Sequence, residues 1–180
     1  MQTQHLITAA QQLTGLTKLG DESILANLLR LVDAFNNEAG LNAGGAASVE
    51  AELVATLANR LRVEDYLANH PELLSRPIER PMFVFGLQRT GTTLVINLLN
   101  EDPARRSFLR WEAFDSVPPP TPSELHAGPR FEKSQAQLDM VLQYAPHISA
   151  IHHEDADSPT ECQFAMSPSF WPQRRCTIRP

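Results

Sequence analysis

The chain has 180 residues, the size of one domain, and 42% of them are hydrophobic, which is enough to bury a core. A formal charge of −6, from 15 Lys and Arg against 21 Asp and Glu, excludes a protein that grips a nucleic acid polymer through a basic face, because phosphate neutralisation takes clustered cations. Apolar runs such as Met82 to Phe85 fall far short of the ~20 residues a membrane-spanning helix needs, and the first twenty residues carry Lys18 alone as a cation with no continuous apolar centre, so a cytoplasmic chain without a membrane span is expected.

Residues 1 to 76 read as a helical region, broken at Gly15, Gly20 and Gly40 to Gly45. Asp21 is placed to cap a helix whose apolar positions Ile24, Leu25, Leu28, Val32 and Phe35 recur at helical spacing and which ends near Gly40. Ser48 is expected to cap the next, with Leu53, Val54, Leu57 and Leu61 along one side. Such stripes point to core packing, with a partner-binding groove as the sharper alternative.

The pattern changes at Pro77 to Pro81. Met82-Phe83-Val84-Phe85 is a short continuous apolar run of the kind found in strands buried on both faces, and Gly86 ends it. A helix follows from Gly91, with Leu94, Val95, Leu98 and Leu99 facing inward, and stops at Asp102-Pro103. A second strand is expected over Ser107 to Arg110. Residues 112 to 130 hold five prolines, Pro118, Pro119, Pro120, Pro122 and Pro129, and should run as an extended surface segment, either a plain linker or a wall of a substrate site. A helix is expected from Phe131 to Tyr144, and a shorter one starting near Ser158-Pro159. The expected fold class is therefore α/β: a P-loop NTPase-like parallel sheet over residues 77–180, preceded by a mainly helical region over 1–76. The sheet should be incomplete, since 87 residues after Thr93 leave room for few βαβ units at about 30 residues each.

Gly86 opens the sequence Gly-Leu-Gln-Arg-Thr-Gly-Thr-Thr, which has the glycine spacing and terminal Thr of a P-loop. With φ > 0 available at Gly86 and Gly91, successive N–H groups from Arg89 to Thr93 can turn toward one anion, and the following helix adds its positive end. Thr92 occupies the place of the lysine that would bridge β- and γ-phosphates in a magnesium–nucleotide enzyme, which argues against triphosphate hydrolysis. Arg89 is the one cation in the loop, and its planar guanidinium suits the oxygens of phosphate or sulfonate.

The stretch Phe83 to Thr93, FVFGLQRTGTT, resembles the 5′-phosphosulfate-binding loop of sulfotransferases that use 3′-phosphoadenosine 5′-phosphosulfate (PAPS). Leu13-Thr14-Gly15-Leu16 in the helical lead-in, Arg80-Pro81 before the strand and Trp111-Glu112 after the helix are similar to the bacterial family related to tyrosylprotein and carbohydrate sulfotransferases. The resemblance implies that Gly86, Arg89, Thr90, Gly91, Thr92 and Thr93 bind the 5′-phosphate and sulfonate. It also implies that Arg89 stabilises the departing oxygen, that Glu112 is the acceptor-side base, and that a small-molecule or carbohydrate hydroxyl or amine accepts the sulfonate. In that family the residues holding the 3′-phosphate come later than Pro180, so a C-terminally truncated enzyme is expected.

Other residues carry less. His152, His153, Glu154 and Asp155 are adjacent and point different ways, so no metal site is expected, though one of these histidines could serve as a second base. Arg105, Arg106 and Arg110 could hold an anionic acceptor or the nucleotide. Cys162 and Cys176 are too few for a disulfide framework. A nucleotide kinase or NTPase with an unusual loop, and a non-enzymatic helical interaction module with a degenerate P-loop, remain the rival readings; a homo-oligomer is left open.

Overall fold

The computed structural model describes residues 1–87, 90–151 and 153–170, and among these every regular element is helical. In chain order they are α1 (Thr3–Thr14), α2 (Ser23–Asn37), α3 (Ala43–Asn69), α4 (Thr92–Asn100), α5 (Arg110–Phe114), α6 (Pro129–Tyr144), α7 (Ile148–Ile151) and α8 (Cys162–Met166). The chain divides into two compact units. One comprises Met1–Leu73, Ser116–Pro118 and the chain from Cys162 onward; the other comprises Leu74–Asp115 and Pro119–Glu161.

The first unit is built on α1, α2 and α3. Leu6, Ile7 and Ala10 of α1, Ile24, Leu28, Leu31 and Val32 of α2, Leu53, Leu57, Ala58 and Leu61 of α3, and Phe170 form one buried cluster. Each fully buried leucine contributes about 1.5–3 kcal/mol from water exclusion. Asp21 does cap α2: its carboxylate accepts from the Ser23 N–H at 2.7 Å. The Ser23 hydroxyl, then that N–H and more weakly Arg60, hold the Asp21 carboxyl below its ordinary range. Leu25 stays 46% exposed, and Leu31 takes its place in the core. The cap expected at Ser48 moves upstream. Asn42, in extended conformation, accepts from the Gly45 N–H at 2.8 Å, so α3 begins at Ala43 and absorbs the glycine pair that the sequence reads as a break. Asn59, almost fully buried in α3, meets Ser116 twice, through Nδ2 to the hydroxyl and Oδ1 from the Ser116 N–H, each at 3.1 Å. Those bonds satisfy an otherwise costly buried amide.

The second unit has a smaller core of Leu109, Trp111 and Ala156, with Leu125, Phe131 and Leu138 packed against it. The Trp111 indole N–H donates to the Leu125 carbonyl at 3.0 Å, and the Arg130 guanidinium lies 4.7 Å from the ring centroid. Helix α6 begins at Pro129, two residues before the expected Phe131, and ends at Tyr144 as expected.

The parallel α/β sheet is not formed: no strand occurs among the described residues. A strand persists through ladder hydrogen bonds to a neighbour, and Met82 to Phe85 runs without one, with Phe83 69% and Phe85 91% exposed rather than buried on both faces. Ser107 to Arg110 yields a single antiparallel bridge, Leu109 to Pro159, flanked by Thr160 N–H to Phe108 O at 2.8 Å and Arg110 N–H to Ser158 O at 2.9 Å. Pro159 brings no N–H to extend the pairing, and the chain turns into α5 at Arg110. The same pairing keeps Ser158-Pro159 out of a helix; α8 starts only at Cys162. None of the described helices is long and apolar enough to cross a membrane.

Candidate functional site

The loop after Met82 to Phe85 lies in the second unit. Gln88 and Arg89 lie outside the described residues, so the cation expected from the sequence has no geometry here. The rest of the loop does. Gly91 adopts φ 89° and ψ 18° at the position preceding α4, a left-handed conformation natural to glycine, and no side chain caps the helix there. The first N–H groups of a helix have no partner within it, and together with the helix dipole they favour an anion. Thr92 is half-buried and Thr93 exposed at this end.

Gly86 serves differently from the expectation of positive φ. It is not among the glycines in the left-handed region, and its constraint is space: a Cβ on it would stand 2.9 Å from Thr90 Oγ1 and 3.2 Å from the Thr92 methyl. Thr90 in turn donates to the Leu87 carbonyl at 2.6 Å, closing the turn on itself. Gly86, Thr90, Gly91 and Thr92 are thereby gathered into one bend. A cavity of about 410 Å³ opens beside it, walled by Met82 to Phe85, Val95 and Leu99, with Thr90 and Thr92 as its polar members. Leu94, Val95 and Leu98 do not face inward as expected: they are 63%, 46% and 64% exposed, because no described element packs over that side of α4.

Glu112 is 3% exposed on α5, with both oxygens engaged. Oε2 accepts from the Leu109 N–H at 3.0 Å, and Oε1 pairs closely with the Arg106 guanidinium. The first contact is the back-bond of a capping box, in which a glutamate at the third helical position satisfies the N-cap amide. Leu109 offers no side-chain acceptor, so only this half of the box exists. Among the other arginines, Arg105 pairs with Asp102 at 2.9 Å and Arg110 with Glu154 at 2.6 Å. The Ala104 N–H, with Arg105, holds the Asp102 carboxyl below its usual range. His153 pairs with Asp155 at 3.2 Å, while His152 lies outside the described residues. No group of three or more His, Cys, Asp or Glu is arranged for a metal ion among the described residues.

A profile of the sulfotransferase family matches residues 81–175, just over half of the chain and including the whole loop. The chain belongs to the sulfotransferase family. Its fold is similar to that of sulfotransferase STF9 from Mycobacterium avium, at 34% identity and a TM-score of 0.81 over 93% of this chain and 43% of that one. It is also similar to sulfotransferase STF1 from Mycobacterium tuberculosis H37Rv, at 29% identity and a TM-score of 0.80 over 94% of this chain and 47% of that one. This sulfotransferase-family chain thus spans less than half the length of either protein. No curated protein matches it significantly.

Proposed function

We propose that the chain carries the donor-binding part of a PAPS-dependent sulfotransferase, with Gly86 to Thr93 holding the 5′-phosphosulfate. The observation behind this reading is the left-handed Gly91 opening an uncapped α4 directly after the bend packed around Gly86, within a sequence of this family. The N–H groups of the first turn and the hydroxyls of Thr92 and Thr93 would donate to the 5′-phosphate and sulfonate oxygens. Each charge-assisted bond of this kind is worth about 1.5–3 kcal/mol. The Arg89 guanidinium would neutralise charge on the bridging oxygen as it departs.

Sulfonate transfer, like phosphoryl transfer, is an in-line displacement in which positioning and charge stabilisation supply most of the acceleration. The acceptor is proposed to be a hydroxyl or amine of a small molecule or carbohydrate. For Glu112 to act as the base, the acceptor must displace Arg106 from Oε1, since Oε2 is bound to the α5 N-cap. The test is Arg89→Ala, assayed for transfer of labelled sulfonate from PAPS. Loss by about 10²- to 10³-fold, the size expected on removing one donor to developing negative charge, supports the reading. Undiminished transfer removes the loop from the mechanism.

A further inference from the structure

Thr90, Thr92 and Thr93 stand in or beside the bend, and each hydroxyl has one hydrogen to give. The ionised oxygens of a phosphosulfate only accept. A threonine therefore serves the donor through its side chain only if its hydrogen is not already committed, and at Thr90 it is. Oγ1 donates to the Leu87 carbonyl at 2.6 Å, at the short end of the range for such a bond, and ties the chain to a point three residues upstream.

Gly86 makes room for that bond. Thr90 Oγ1 lies 2.9 Å from where a Cβ on Gly86 would stand, and the Thr92 methyl 3.2 Å from it, so both side chains rest against the same bare Cα. Because Thr92 turns its methyl to Gly86, its hydroxyl leaves the same Cβ in another direction. Both threonines line the cavity beside the bend. Gly91, the left-handed residue that opens α4, follows Thr90 directly, so the bond to Leu87 anchors the residue from which the helix start is launched.

We propose that Thr90 is a positioning residue of the donor loop, a latch whose hydroxyl closes the bend on Leu87 and does not touch the donor, and that side-chain donation to the phosphosulfate falls to Thr92 and Thr93; the proposal rests on the reading of the loop given above. The family resemblance assigns Thr90 to the ligand, whereas the geometry assigns it to the loop. A ligand that takes only the closed bend binds with an affinity scaled by the fraction of chains already closed. The latch raises that fraction before any ligand arrives.

The test compares Thr90→Val, which keeps the shape and removes the hydroxyl, with Thr90→Ser, which restores it. Thr90 is exposed, so neither change reaches a buried cluster. In calorimetric titrations of the chain, Thr90→Val should bind both adenosine 3′,5′-bisphosphate and PAPS about three- to tenfold more weakly, the range of one hydrogen bond, and Thr90→Ser should bind like the parent. Full affinity in Thr90→Val overturns the latch and leaves the loop reading standing; a parent chain that binds neither nucleotide overturns both. A greater loss toward PAPS than toward the bisphosphate, which has no sulfonate, would make Thr90 a direct donor and overturn the proposal. Carbon NMR of the ligand-free chain separates a latch from a ligand contact. The Leu87 carbonyl resonance should move upfield in Thr90→Val, as its hydrogen bond is lost, and return in Thr90→Ser. A Leu87 carbonyl indifferent to both changes contradicts the positioning role, whatever the affinities.

Discussion

The three-helix unit and the stretch from Met82 to Leu98 draw on the same kinds of residue and reach opposite ends. In the first, leucines at helical spacing from three helices close on one another, and Leu6, Leu28, Leu53 and Leu57 are wholly buried. In the second, an equally apolar run and helix leave Phe85, Leu94 and Leu98 largely in water. Local composition therefore decides where apolar side chains recur, and only a covering element decides whether they are buried. The proposed function follows the same division: the well-packed helices would supply a scaffold, while the sparsely packed bend around Gly86 and Gly91 is where the donor is proposed to bind.

The harshest trial of this contrast pairs Leu57→Ala with Leu98→Ala in denaturant unfolding. Leu57→Ala is expected to cost about 2–5 kcal/mol through lost burial and a residual cavity, whereas the exposed Leu98 should change stability by no more than about 0.5 kcal/mol. Equal losses would mean that α4 is as well packed as α3.

Gly20→Ala comes next. Gly20 has φ 85°, and a Cβ there would collide with the Glu64 carboxylate and its Arg60 partner. Backbone strain of this kind costs of order 1–3 kcal/mol, so a clear drop in melting temperature is expected, and an unchanged melt would show that the turn between α1 and α2 can relax.

Gly86→Ala should scarcely alter the melt, yet weaken donor binding by about tenfold, because the added methyl displaces Thr90 and Thr92 where the donor is proposed to bind. Titration of the variant with PAPS measures it; unaltered affinity would show that the bend is not the site.

The smallest effect is one of pH. Asp21 is held below its ordinary value of 3.8, chiefly by Ser23, so the folded state favours its ionised form. That contribution is complete above 3.8 and disappears as pH falls through the lower folded value. Acid melts of Asp21→Asn should lack this component, and identical pH dependence in both proteins would remove Asp21 as a working cap.

What the sequence revealed followed the range of the forces involved. Asp21 as a cap and α6 ending at Tyr144 are local matters, readable from neighbouring residues. The choice of Asn42 over Ser48 turned on a competition between two acceptable caps, which spacing alone does not rank. Met82 to Phe85 has the composition of a buried strand, but a ladder partner is a long-range fact that no local pattern reports, and the α/β expectation failed there. The glycines of the loop were legible as the turn that opens α4, although Gly86 is needed for close packing rather than for its dihedral freedom. Trp111-Glu112 stood out in the sequence, yet the engagement of the Glu112 oxygens follows from where the Arg106 guanidinium and the Leu109 N–H lie. The ion pair of His126 Nδ1 with Asp157 Oδ2, at 2.8 Å, carried no signal at all, because nothing in the chain marks two residues that far apart as neighbours.

The central claim is that the loop sequence from Gly86 to Thr93 binds a sulfated nucleotide. The direct measurement is calorimetric titration of the chain with adenosine 3′,5′-bisphosphate, with magnesium-ATP as the competing ligand. Saturable one-site binding of the bisphosphate, abolished in Arg89→Ala and preferred over magnesium-ATP, is the predicted result. Absence of saturation, or tighter binding of magnesium-ATP, would contradict it.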